Sequence, residues 1–112
     1  MSYSILTIPP FDRQLKRLSE KYPSLKDDFT TLLKSLEVDP KQGTSLGKKC
    51  YKIRMAIKSK RVGKSGGARV IANVIVTKET VYLLAIYDKS EKETISDEEL
   101  KALLGLIPDD EE

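Results

Sequence analysis

The chain has 112 residues, 39% of them hydrophobic, with 20 Lys and Arg against 17 Asp and Glu, one Cys and no His. That length fits one domain with its own core; a lone cysteine excludes an internal disulfide, and the lack of histidine excludes Ser/His and Cys/His catalysis and the commonest zinc sites. No stretch approaches the roughly 20 apolar residues that cross a bilayer, and the opening MSYSILTIPPFDR lacks a basic segment followed by a long apolar one, so a soluble, cytoplasmic protein without membrane contact is expected.

Residues Tyr3 to Ile8 form a short β-prone run that Pro9 and Pro10 stop. From there apolar residues recur at Phe11, Leu15, Leu18 and Tyr22 with charged residues between them, the spacing of an amphipathic helix. Pro23 interrupts, and Leu25, Phe29, Leu32, Leu33 and Leu36 resume the period. Tyr22-Pro23-Ser24 therefore reads as the corner of a helical hairpin, with Ser24 as N-cap. Pro40 to Lys49 is polar, contains Gly43 and Gly47, and is expected to be a loop leading into a sheet.

At Tyr51 the period changes to two. Tyr51, Ile53, Met55 and Ile57 alternate with Lys52, Arg54, Ala56 and Lys58, which predicts a strand with an apolar core face and three cations on the other. Ser59 to Gly67 is a basic, Gly-rich loop. Ala68 to Thr77 and Thr80 to Tyr87 read as strands joined by a tight turn at Lys78-Glu79. In the last strand Val81, Leu83 and Ala85 are expected on one face and Tyr82, Leu84 and Ile86 on the other, so both faces need cover. A closing helix supplies it: Ser96 and Glu99 form a capping box, and Leu100, Leu103 and Leu104 line one side. The acidic tail from Asp109 to Glu112 is read as disordered. The order β-α-α-β-β-β-α, with no repeat and no long linker, describes a single α+β domain over 1–108.

Charge is distributed very unevenly. Between Pro40 and Lys78 stand eleven cations and no acid, whereas the rest of the chain carries nine cations and all seventeen acids. A block of this kind is the footprint expected for a phosphate backbone. Lys52 and Arg54, two residues apart on one strand face, lie roughly 7 Å from each other, near the spacing of phosphates in an extended strand. Arg69 opens the neighbouring strand and can join them. Lys48, Lys49, Lys58, Lys60, Arg61 and Lys64 flank this strand on either side and are the expected cations for binding a phosphate backbone.

Other motifs carry less. Gly63-Lys64-Ser65 resembles the end of a P-loop, but Lys58 stands where the first glycine belongs, so turn chemistry explains the glycines better. Cys50 reads as a small core residue and Tyr82 as core. Tyr87, at a strand end beside Asp88 and Lys89, fits either core or base stacking. No metal or other cofactor is implied.

The run YKIRMAIKSKRVGKSGGARVI, followed by a strand ending IYDKSEKETISDEEL and preceded by a helical hairpin with a KYPSL corner, resembles the RelE/ParE superfamily of type II toxin-antitoxin toxins, nearest its RelE and HigB branch. The resemblance covers nearly the whole chain. It implies a ribosome-dependent endoribonuclease that cuts mRNA by attack of the ribose 2′-OH on the adjacent phosphate without a metal ion. It also implies a cognate antitoxin partner, with DNA contacted only through the antitoxin complex. Carried over by position, Lys52 or a neighbour assists deprotonation, Arg54 and Arg69 hold the scissile phosphate, and Lys89 serves the leaving oxygen. The archetype's catalytic tyrosine has no counterpart in Ser90 to Ile95, and Tyr87 is the candidate to replace it. Two alternatives stand beside this reading: a ParE-like gyrase poison that acts by binding protein, and an inactive family member that binds only RNA or antitoxin.

Overall fold

A computed structural model describes residues 2–108; the acidic tail lies outside them. The chain begins with β1 (Ser4–Thr7) and the helical hairpin α1 (Pro9–Lys21) and α2 (Leu25–Val38). The strands β2 (Thr44–Gly47), β3 (Cys50–Met55), β4 (Ala68–Ile75) and β5 (Thr80–Asp88) follow, and α3 (Asp97–Leu104) closes the fold. The strands form one sheet in the order β1-β5-β4-β3-β2, with β1 parallel to β5 and every other pair antiparallel.

The helical hairpin forms where its period predicts. Pro9 and Pro10 do more than stop β1: they occupy the first turn of α1, where a missing N–H costs nothing. Phe11 and Leu18 of α1 and Leu25, Leu32 and Leu36 of α2 are buried against the sheet. Ser24 stands at the N-terminus of α2 but does not cap it; its hydroxyl donates to Asp28 Oδ2 and accepts from the Ser59 amide. The closing helix has the expected capping box, with Ser96 Oγ accepting from the Glu99 amide and the Glu99 carboxylate accepting from the Ser96 amide. Its buried Leu100 packs over the far side of the sheet, giving the cover that face needed.

Four local expectations are corrected. The polar stretch from Pro40 to Lys49 contains a strand, β2, which pairs with β3 through a turn in which Lys48 and Lys49 both have positive φ. With one apolar residue in Thr44–Gly47, an edge strand of this kind has no period to detect. Gly43, at φ +93°, lets the chain cross there, because a Cβ would sit 2.3 Å from the Lys52 carbonyl oxygen. β3 ends at Met55, so Lys58 leaves the strand face and opens a short 3-10 turn. β4 likewise ends at Ile75, and a 3-10 turn at Val76–Lys78 with Glu79 left-handed replaces the simple two-residue hairpin.

The fourth correction concerns faces. The β4–β5 register shifts between Ile71 and Ala72, so that Ile71 pairs with Ala85 while Ala72 pairs with Leu83. The extra residue is Leu84, and the bulge it creates reverses the alternation beyond it. Val81, Leu83, Ile86 and Asp88 consequently share the hairpin face, whereas Tyr82, Ala85 and Tyr87 share the α3 face. Ala85 and Ile86 thus exchange the sides expected from strict alternation.

Candidate nucleic-acid interface

The cross-strand register aligns the main candidates. Arg54 pairs with Arg69, and Arg69 pairs with Tyr87, so three predicted residues form one row across β3, β4 and β5 on the α3 face. At normal strand spacing the row spans about 10 Å. Lys52, half-buried, lies one step along β3 on the same face, opposite Ile71. Lys89 follows β5 directly, and its amide donates to the Gly67 carbonyl at 3.0 Å, which draws the basic loop against the end of the row.

The binding cations are divided between two ends of the sheet. Lys58, Lys60, Arg61 and Lys64 gather at the C-terminal end of β3, beside Arg54 and Arg69. Lys48 and Lys49 project from the turn at its other end, the length of a six-residue strand away, roughly 17 Å. The chain's basic block is therefore continuous in sequence but split in space.

Within the loop, the cations differ in availability. Lys58, Arg61 and Lys64 are exposed. Lys60 is committed elsewhere: its ammonium lies 2.8 Å from Asp88 Oδ1, and its side chain is 15% exposed. Asp88 is fully buried and also accepts from the Tyr22 hydroxyl and from the Ser90 amide and hydroxyl. Burial alone would raise this carboxyl, but the hydrogen bonds from Lys60, Tyr22 and Ser90 outweigh it and hold it well below the usual carboxylate range. A second buried carboxylate, Asp28, accepts from Ser24 Oγ at 2.7 Å and from the Lys58 amide at 3.1 Å. Together Asp28 and Asp88 pin both ends of the first loop turn to the helical hairpin and to β5.

Neither carboxylate was singled out from sequence, although a signal existed. Asp28 occupies an apolar position of α2, three residues after Leu25 and four before Leu32, and Asp88 terminates an otherwise apolar strand. A charge at a core position demands a partner.

Arg69 differs from the exposed cation that its place at a strand opening suggests. It is 5% exposed, and its guanidinium donates to three backbone carbonyls: Lys64 and Ala68 from Nη1 and Ser65 from Nη2, each at 3.1 Å. Three of its five N–H donors are thereby used to fold the loop, and two are left. Tyr87 is also buried, and the Lys92 ammonium stands 5.6 Å over its ring. Its hydroxyl is the one buried side-chain polar atom without a hydrogen-bond partner among the described residues. Burial raises this phenol, the Arg69 charge lowers it and Glu99 raises it, with a net upward shift. An orphaned hydroxyl at the end of a row of two guanidiniums is the feature of this surface most in need of a partner.

The remaining candidates are structural. Cys50 is fully buried, and burial pushes its thiol up; Tyr82 packs against the core. The glycines of the loop serve turns: at Gly67 a Cβ would meet the Met55 carbonyl oxygen at 2.3 Å, so only glycine allows β4 to start this close to the end of β3. Among the described residues no helix is long and apolar enough to cross a membrane.

No family model matches the chain, and no curated protein sequence matches it either. Solved structures do. A mutant of E. coli toxin RelE in the free state superposes with a TM-score of 0.64 at 17% identity, over 96% of this chain and all of that one. The toxin-antitoxin complex RelBE2 from Mycobacterium tuberculosis gives 0.57 at 15% identity, over 79% of this chain and 92% of that one. The intact E. coli RelBE toxin-antitoxin complex gives 0.51 at 20% identity, over 78% and 96%. With the matching order of elements, these superpositions establish that this chain has the RelE toxin fold over nearly its full length.

Proposed function

We propose that the protein is the toxin of a type II toxin-antitoxin system and cleaves mRNA on the ribosome. The observation that carries this reading is the Arg54–Arg69–Tyr87 row, flanked by Lys52 and Lys89 on the face away from the helical hairpin. In the cleavage step the ribose 2′-oxygen attacks the adjacent phosphorus, its proton passes to a base, and the 5′-oxygen leaves with a proton. In this reading Lys52 takes the first proton, Lys89 serves the leaving oxygen, and Arg54 with the two remaining Arg69 donors holds the crowded, negatively charged phosphorus centre. Tyr87 borders the same centre through its unpartnered hydroxyl. Lys58, Arg61 and Lys64 then contact the ribosomal or messenger RNA backbone, and a cognate antitoxin neutralises this surface by binding.

A second reading is favoured by one specific observation. Arg69 is tied to three carbonyls and Tyr87 is buried, an arrangement that suits a surface that binds RNA or antitoxin without cutting. Primer extension on a defined mRNA in a reconstituted translation system, with and without ribosomes, separates the two. Ribosome-dependent cuts that disappear in Arg54→Ala, an exposed position whose loss leaves the fold intact, establish cleavage. Intact mRNA with translation arrested, or translation unaffected, overturns it.

A further inference from the structure

A cleft of about 280 Å³ opens at the edge of the sheet where β3 runs on past the start of β2 and is unpaired on that side. Leu32 and Met55 give it an apolar floor, Arg54, Lys58 and Lys64 stand around it, and Asp28 lines its inner wall. Both hydrogen bonds that Asp28 receives go to Oδ2, which leaves Oδ1 as an acceptor without a partner among the described residues. The volume lies just under the ~300 to 1,000 Å³ of small-molecule pockets. An apolar floor, one unpartnered carboxylate oxygen open to the cleft and three cations are the complement of a flat heterocycle with amino hydrogens, attached to phosphate. The cleft is joined to the row described above through Arg54 and through Lys64, whose carbonyl accepts from Arg69.

We propose that this cleft is a nucleobase subsite. It takes one unstacked base of single-stranded RNA, with Asp28 Oδ1 accepting from an exocyclic amine and Arg54, Lys58 and Lys64 holding the neighbouring phosphates. Unpaired bases are the usual target of RNA recognition, and a carboxylate reads an amine by accepting from it. Adenine, cytosine and guanine carry such an amine and uracil does not, so the subsite selects against uracil. The inference deepens the RNA-cleavage reading and rests on it only for the identity of the strand.

The test is direct binding of fluorescein-labelled hexaribonucleotides, all-A, all-C and all-U, followed by anisotropy at low salt. Wild type is expected to bind the A and C hexamers about tenfold more tightly than the U hexamer. Asp28→Asn keeps an acceptor for Ser24 and Lys58 but turns Oδ1 into a donor, so it is expected to erase that difference. Thr31→Phe, at an exposed position on the α2 wall, fills the cleft and is expected to weaken all amine-bearing hexamers at least tenfold while leaving the melting temperature unchanged. Equal affinity for the three hexamers, or affinities untouched by Thr31→Phe, overturns the subsite. The two readings fail separately: ribosome-dependent cleavage indifferent to both variants sinks the subsite alone, whereas selective hexamer binding in a protein that cuts nothing sinks cleavage alone and upholds the subsite.

Discussion

Two basic turns leave β3, one from each end, and they are built in opposite ways. The Lys48–Lys49 turn is held through its backbone, with no lysine side chain used: two left-handed lysines, both exposed, reverse the chain between β2 and β3, and the buried Asn73 amide donates to both of their carbonyls. The 58–67 loop, ten residues with two 3-10 turns, is held from below by Asp28, from the side by Asp88 and from above by Arg69. A cation in the first turn is free to serve any polyanion. In the second, some of the cations are spent on fixing the others, and the residues that do the fixing are the buried ones. Positive charge counted along a sequence therefore overstates the binding surface wherever the loop that carries it needs internal anchors.

The contrast can be broken most severely at Asp88. Asp88→Ala strands the Lys60 ammonium and the Tyr22 hydroxyl, and is expected to cost about 3 to 5 kcal/mol in urea unfolding, in line with removal of one partner from a buried pair. Arg69→Ala comes next, at about 2 kcal/mol, because it unpairs three carbonyls, two in the loop and one at the start of β4; that cost has to be separated from any loss of cleavage by assaying below the melting temperature. A stability change under 0.5 kcal/mol for Arg69→Ala would contradict its role as a loop anchor.

The pH dependence follows from the same anchor. Asp88 titrates lower in the folded chain than at its ordinary 3.8, so its stabilisation is fully present above that value and is lost as the pH falls below it. Thermal melts from pH 6 to pH 2 should show this acid loss. Glu91, beside Arg17 and Lys21, and Glu99, beside Lys92, shift in the same direction but are exposed, so they add little. Asp88→Asn should flatten the curve.

The opposite turn sharpens the comparison by being nearly inert. Replacing Lys48-Lys49 with Asn-Gly suits two positive φ angles and is expected to stabilise the protein by about 1 kcal/mol. RNA affinity should fall only slightly. Lys64→Ala, by contrast, should leave stability within about 0.5 kcal/mol and reduce the slope of log affinity against log salt by about 0.7, the value for one lost single-strand phosphate contact. If the turn variant lost as much salt dependence as Lys64→Ala, the division of the basic block into two separate surfaces would be wrong.

Much of the fold was legible because it is written in periods: the 3.6-residue rows of α1 and α2, the alternation of β3, and the capping box of α3. What escaped lacked a period or overrode one. β2 has a single apolar residue, and the β5 bulge inserts a residue that is itself apolar, so nothing in Leu83-Leu84-Ala85-Ile86 marks the shift. The candidate site was legible as residue types, since Arg54, Arg69 and Tyr87 do meet in one row. Their burial was not, because Arg69 reads as a surface charge until the carbonyls of its own loop are known to fold over it.

The bulge at Leu84 sets the phase of everything after it. Were Leu84 paired in regular alternation and the bulge absent, Tyr87 would turn toward the helical hairpin, and Asp88 would stand on the face of Arg69 and Arg54, its carboxylate neutralising the surface it now supports from the opposite side. The bulge thus decides which of two adjacent side chains becomes the foundation and which the working face, and a regular ladder through Leu84 would exchange them without altering any charged residue in the chain.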